Sequence, residues 1–171
     1  MMVLRHPYTA FRLPGNPETL SLLSDLWTEE HIFYSLDHRI KTFHGAHLLF
    51  SKIESGAVRV YGAFTRKGEF CGVFFGCTEE KDPLMFSAHV AFLRGVDATA
   101  CESLIERAIV EDYEHDGIML KGLCAYIPEH NRAAKLFARR AGGVDHGIDL
   151  TKTFLCGNQE IPCRTFIKVL R

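Results

Sequence analysis

The segment from Leu84 to Asp116 constrains the fold more than any other. An apolar run, Leu84-Met85-Phe86-Ser87-Ala88-His89-Val90-Ala91-Phe92-Leu93, passes through Arg94-Gly95-Val96-Asp97-Ala98 into a helical pattern from about Thr99. The run is too short to cross a membrane and carries His89, so it predicts a buried strand. Thr99 and Glu102 have the spacing of a capping box and predict the helix start. Ala100, Leu104, Ile105, Ala108, Ile109 and Tyr113 then share one face, and Gly117 follows as a C-terminal cap.

A strand entering a helix through a basic, Gly-containing loop is suited to an anion. The first amides of the helix have no partner within it, and the helix dipole favours negative charge there. Arg94 can add a charge-assisted bond to a phosphate. The alternative is an ordinary connection with a solvated Arg94.

The chain of 171 residues suits a single domain spanning 1–171, with enough apolar content for a sizeable core. A net charge of −1 lacks the basic excess expected of a nucleic-acid-binding protein. The six cysteines show neither a C-x-x-C pair nor zinc spacing, which points to a reducing, cytoplasmic location. The first fifteen residues lack a signal-peptide core, and no stretch has the length of a membrane helix.

Along the rest of the chain, Tyr8 to Leu13 predicts a strand. Asn16-Pro17 starts a helix with Leu20, Leu23, Leu26 and Trp27 on its buried side. Asp37 can cap a second helix through Ile40, Phe43, His44, His47, Leu48 and Phe50. His44 and His47 lie three apart, but no third ligand has a supporting spacing, so no metal is expected. Val58 to Phe64 and Phe70 to Thr78 form a hairpin, and Glu79-Glu80-Lys81-Asp82-Pro83 turns into the Leu84 strand. Ile118 to Ile127 is the next strand, a candidate for parallel pairing with the Leu84 strand because a helix joins them. Asn131 to Ala141 predicts a helix with Ala134, Phe137, Ala138 and Ala141 inward. Ile148 to Leu155 and Thr165 to Leu170 are the last strands, around a turn at Gly157-Asn158. The order predicts an α/β (α+β) fold, with a mixed, mostly antiparallel sheet of about seven strands flanked by about four helices.

This order, with a strand–basic loop–helix at its centre, resembles the GNAT superfamily of acyl-CoA-dependent N-acyltransferases. Two stretches carry the resemblance. Arg94-Gly95-Val96-Asp97-Ala98-Thr99-Ala100 stands in the place of the family's pyrophosphate loop, in a degenerate form with Asp97 at a usual Gly position. Asn131 to Gly142 is similar to the family's late helix, with Ala138 where a Tyr often stands and Gly143 where an aromatic does. The resemblance implies acetyl-CoA as cosubstrate. Its thioester would meet the backbone of Val90, Ala91 and Phe92, its diphosphate the residues Arg94, Gly95, Val96, Asp97, Ala98, Thr99 and Ala100, and its pantetheine arm Asn131.

Acyl transfer to an amine needs a neutral amine, a polarised carbonyl and a stabilised thiolate. His89, in the central strand, can accept a proton near neutral pH, or be a core histidine with its own partners. Tyr126, near the end of the next strand, can supply a hydroxyl, or simply pack. His130 reads as a surface or capping residue. Glu79 and Glu80 can hold a cationic substrate, or form a solvated turn. The expected function is N-acetylation of a primary amine, with a catalytically inactive scaffold for binding or assembly as the alternative. The expected partner is a small-molecule or protein amine acceptor, with no nucleic acid and no membrane, and with a homodimer left open.

Overall fold

The computed structural model describes residues 6–29 and 43–170, with backbone only at 43 and 44. Among the described residues it has seven strands and four helices. In chain order these are β1 (Tyr8–Leu13), α1 (Pro17–Thr28), α2 (Phe43–Glu54), β2 (Arg59–Thr65), β3 (Phe70–Thr78), β4 (Met85–Phe92), α3 (Ala98–His115), β5 (Gly122–Pro128), α4 (Arg132–Arg140), β6 (Val144–Cys156) and β7 (Gln159–Val169). One sheet contains all the strands, in the order β1-β2-β3-β4-β5-β7-β6. Among the described residues the only parallel pair is β4 with β5, as the intervening helix requires. The predicted mixed, mostly antiparallel α/β architecture is therefore the observed one.

Alternation along the strands divides the core between two faces. Val60, Val73 and Phe75 pack under α1 and α2 with Leu23, Leu26 and Ile53. Tyr61, Phe74, Phe86 and Leu123 pack under α3 with Cys101, Ile105, Ile109 and Tyr113. Asn16 starts α1 as its residue type predicts, accepting the Thr19 N–H at 3.0 Å, with Pro17 following. Asp37 and Ile40 lie outside the described residues, as does the side chain of His44.

Several boundaries differ from the sequence reading. The strand expected from Ile118 begins at Gly122, because the chain first leaves the turn at Gly117 and exposes Met119. β6 and β7 are longer than expected. Each finds a complete antiparallel partner in the other, interrupted by register shifts between Asp145 and Ile148 and between Asp149 and Thr153. Such long-range pairing leaves little trace in local periodicity.

The helix after β4 starts at Ala98, and its cap is Asp97, whose Oδ1 accepts the Ala100 N–H at 3.1 Å. Thr99 is exposed and does not cap. Glu102 does not turn back to the helix start either. It is buried and accepts a hydrogen bond from Lys168 of β7 at 3.2 Å. The capping-box pattern at Thr99 and Glu102 is thus coincidental. A carboxylate one turn into the helix found a lysine across the sheet instead.

Candidate active site

β4 and β5 pair over three residues only: Met85 with Gly122, Phe86 with Leu123, and Ser87 with Cys124. Beyond that point β4 stays bonded to β3 as far as Phe92, and β5 stays bonded to β7 as far as Pro128. Each strand is held by its outer neighbour, so the two part and a gap opens in the middle of the sheet.

The gap leads into a cavity of about 170 Å³. Ala88, His89 and Val90 of β4 form one wall, and β5 from Leu123 to Pro128 forms the other. α4 roofs it. Ala134, Ala138 and Ala141 recur at helical spacing along the lining face of that helix, and their small side chains leave the space open. A Tyr at position 138 would project into this volume. Gly143, which stands where the resembled family often has an aromatic, donates its N–H to the Ala138 carbonyl at 2.8 Å, and a Cβ there would lie 2.9 Å from that oxygen.

Backbone amides alternate in direction along a strand. The Leu93 N–H donates to the Cys71 carbonyl of β3 at 2.9 Å. By alternation the Ala91 N–H also faces β3, while those of Val90 and Phe92 face the gap. Ala91 packs its side chain toward α1 and α2. Of the three β4 residues named from sequence, two therefore offer amides to the gap and Ala91 does not.

His89 and Tyr126 line the same cavity from opposite walls. His89 is exposed, and its ring stacks on Phe75 at 5.1 Å between centroids. The Tyr126 hydroxyl is held well above the usual tyrosine range, first by burial and then by neighbouring Cys124 and the Glu79 carboxylate. It remains a protonated hydrogen-bond donor at neutral pH. The Cys124 thiol is pushed up to about 12 by burial and by Glu79, to which it donates at 3.5 Å. A thiol so protonated is a poor nucleophile, which argues against a covalent acyl-cysteine at this position.

At the other end of the cavity, Lys168 donates to Glu102 and to Glu106. Burial alone would lower the Lys168 pKa, but the two carboxylates outweigh it and hold the ammonium charged. Burial raises the Glu102 carboxyl to about 7, reinforced by Glu106 and opposed by Lys168. Asn131 also lines the cavity and caps α4, its Oδ1 accepting the Ala134 N–H at 3.0 Å.

The loop from Arg94 to Ala100 lies at the amino end of α3, outside the lining of the cavity. Gly95 takes φ +80° and Arg94 is exposed. The Asp97 N–H donates to the Tyr8 hydroxyl at 3.3 Å. The Asp97 carboxylate is the feature that departs from an open anion seat. It already holds the Ala100 amide, one of the donors a diphosphate would use.

Lys168, Cys124 and Lys152 were not singled out from the sequence, and Glu102 was named only as a capping-box partner. Each sits beside the cavity through sheet pairing or through a contact distant in sequence, and no local pattern marks it. Among the described residues, no three His, Cys, Asp or Glu side chains are grouped to hold a metal, and no helix is long and apolar enough to cross a membrane.

The architecture is that of acetyltransferases. A structure from Salmonella typhimurium, described as the acetyltransferase that modifies the N-terminal serine of ribosomal protein L7/L12, matches with a TM-score of 0.70 at 12% identity, over 95% of this chain and 96% of that one. A probable acetyltransferase from Staphylococcus epidermidis matches with a TM-score of 0.71 at 16% identity, over 96% and 99%. The spermidine N-acetyltransferase of Vibrio cholerae, solved with CoA and spermine, matches with a TM-score of 0.66 at 16% identity, over 96% of each chain. The chain has the fold of these GNAT acetyltransferases. No family model matches the sequence, and no curated protein matches it by sequence.

Proposed function

We propose that the protein is an N-acetyltransferase that moves an acetyl group from acetyl-CoA to a primary amine. The observation that carries this reading is the parting of β4 from β5 after Ser87 and Cys124, with a cavity behind it. A fully paired sheet would offer no amides at its centre. Here those of Val90 and Phe92 face an open gap, where they can donate to an acyl oxygen as charge develops on it. The fold shared with solved acetyltransferases supports the same conclusion.

Acetyl-CoA would supply an activated thioester. Asn131 and the alanine face of α4 would hold the pantetheine arm, and the amino end of α3 with Arg94 would face the diphosphate. His89, on the α1 and α2 side of the sheet, is suited to take a proton from the incoming amine. Tyr126 would donate a hydrogen bond to the departing sulfur. A phenol held above its ordinary pKa is a weaker acid than a thiol of pKa near 8.5, so donation without full transfer is its role. No residue of the set requires a metal. The less favoured reading, an inactive scaffold, draws on Asp97 and Ala138, yet Ala138 is part of what keeps the cavity open.

Six cysteines, none of them in a disulfide, support a reducing, cytoplasmic setting. The acceptor is a small-molecule or protein amine, and a homodimer remains part of the proposal. The test is a thermal-shift titration with acetyl-CoA and CoA, followed by thiol release with an amine panel. A rise in Tm with both ligands, and amine-dependent release, are expected. No shift at millimolar ligand overturns the proposal.

A further inference from the structure

Beside the cavity, on the side of the sheet that faces α1 and α2, one cation is held by two groups suited to ammonium. The Lys152 Nζ lies 4.6 Å from the centre of the Tyr126 ring and 4.0 Å from the Glu79 Oε2. An aromatic face with a carboxylate next to it is a recurrent way to bind an alkylammonium. Tyr126 also lines the acyl cavity, so this cation stands at its mouth. Glu79 is largely shielded, its side chain 20% exposed, whereas that of Lys152 is 41% exposed.

The backbone explains how Lys152 comes to be there. β6 and β7 lose register between Asp149, paired with Cys163, and Thr153, paired with Pro162. Residues 150 to 152 are therefore extra on the β6 side, a bulge that re-aims the side chains within it. Asp149 fixes the bulge by accepting both the Thr151 N–H at 2.9 Å and the Thr151 hydroxyl at 2.6 Å. Leu150, next to it, is 82% exposed. Lys152 is thus delivered by an irregular segment at the sheet edge rather than by the regular ladder. It can leave without breaking a strand pair.

We propose that Glu79 and the Tyr126 ring form an ammonium seat for the acceptor amine, that Lys152 fills this seat in the free protein, and that a cationic alkylamine binds by displacing it. The acceptor class is a primary amine that arrives protonated and meets Glu79 before it is deprotonated for attack. The link to an acceptor rests on the transferase reading, but the seat is tested without acetyl-CoA. A tethered competitor acts at a local concentration in the millimolar range or above, so removing it should tighten binding of a free ammonium by about threefold or more.

The probe is methylammonium chloride, titrated against sodium chloride of equal ionic strength and followed on ring-labelled tyrosine by NMR. The Lys152→Met protein should show saturable shifts of the Tyr126 ring at lower concentration than the unsubstituted protein. Glu79→Gln on the Lys152→Met background should abolish saturation. The unsubstituted protein supplies a readout that needs no substituted chain to fold: the Lys152 ε-methylene signal, displaced by the Tyr126 ring current, should return toward the free-lysine position as methylammonium is added. Equal midpoints with and without Lys152, saturation that survives loss of Glu79, or a stationary ε-methylene signal would each overturn the seat. An absent thermal shift with acetyl-CoA would remove the transferase reading and leave these outcomes unaffected.

Discussion

Replacing Asp97 by Asn isolates the charge at the amino end of α3. The Asp97 carboxylate accepts the Ala100 N–H at 3.1 Å, so an anion at that end meets a fixed negative charge. Asn caps a helix about as well as Asp, and the substitution removes only the charge–dipole attraction, about 0.3–1 kcal/mol of stability. For the ligand, one charge about 5 Å away at a surface dielectric of about 40–80 costs about 1–2 kcal/mol. The Asp97→Asn protein should therefore bind CoA about tenfold more tightly at low salt, and the gain should shrink as salt screens the repulsion. Calorimetric titration at two salt concentrations measures it. Pantetheine, which lacks the diphosphate, is the internal control, because its affinity should not change. Equal CoA affinity in the two proteins, or an equal gain for pantetheine, would refute the assignment of this loop to the diphosphate.

The buried carboxylate of Glu102 makes stability depend on pH. Its folded pKa, about 7, lies above the ordinary 4.5, so its contribution is complete below about pH 4.5 and is lost as pH rises through about 7. The loss has a ceiling of about 3 kcal/mol, and Glu102→Gln should flatten it in urea melts at pH 5 and pH 8, whereas an unchanged slope contradicts the assignment. At the far end of α3, Asp112 accepts from the Tyr61 hydroxyl at 2.7 Å and from Arg59 at 2.8 Å. Burial pushes the Asp112 carboxyl up, but these bonds outweigh it and hold the pKa below the usual range. Asp112→Ala should cost about 3 kcal/mol by urea denaturation, since it strands the buried Tyr61 hydroxyl and leaves Arg59 with Asp116 as its remaining carboxylate, and a loss under about 1 kcal/mol would mean that the network is not structural. Gly76 of β3 faces the Ser87 carbonyl, and a Cβ there would come within 1.8 Å of that oxygen. Gly76→Ala should disrupt the β3–β4 ladder and cost more than about 3 kcal/mol, read as a fall in Tm, and a Tm within a few degrees of the parent would show that the strands can move apart.

Much of the architecture was readable because it rests on local patterns. Asn16-Pro17, the periodicity after Ala98 and the turn at Gly157-Asn158 each reflect chemistry between near neighbours in sequence. The strand–loop–helix at Leu84 to Asp116, together with the late helix from Asn131, was enough to suggest the sheet with its one parallel pair. His89 and Tyr126 were named from their places in strands, and the fold puts both on one cavity.

The sequence by itself determined which segments become strands and helices, and which residue types stand at the centre of the sheet, because those follow from periodicity, capping and turn chemistry within a few residues. Only the tertiary structure decided that Glu102 turns to Lys168 of β7 instead of back to the start of α3, where Asp97 is the cap. It also decided that β4 and β5 separate after three pairs, because that depends on how firmly β3 and β7 hold them from outside. The same holds for Lys152 above Tyr126: a bulge far along the chain aims it there, and pairing register is a property of two strands that neither carries alone.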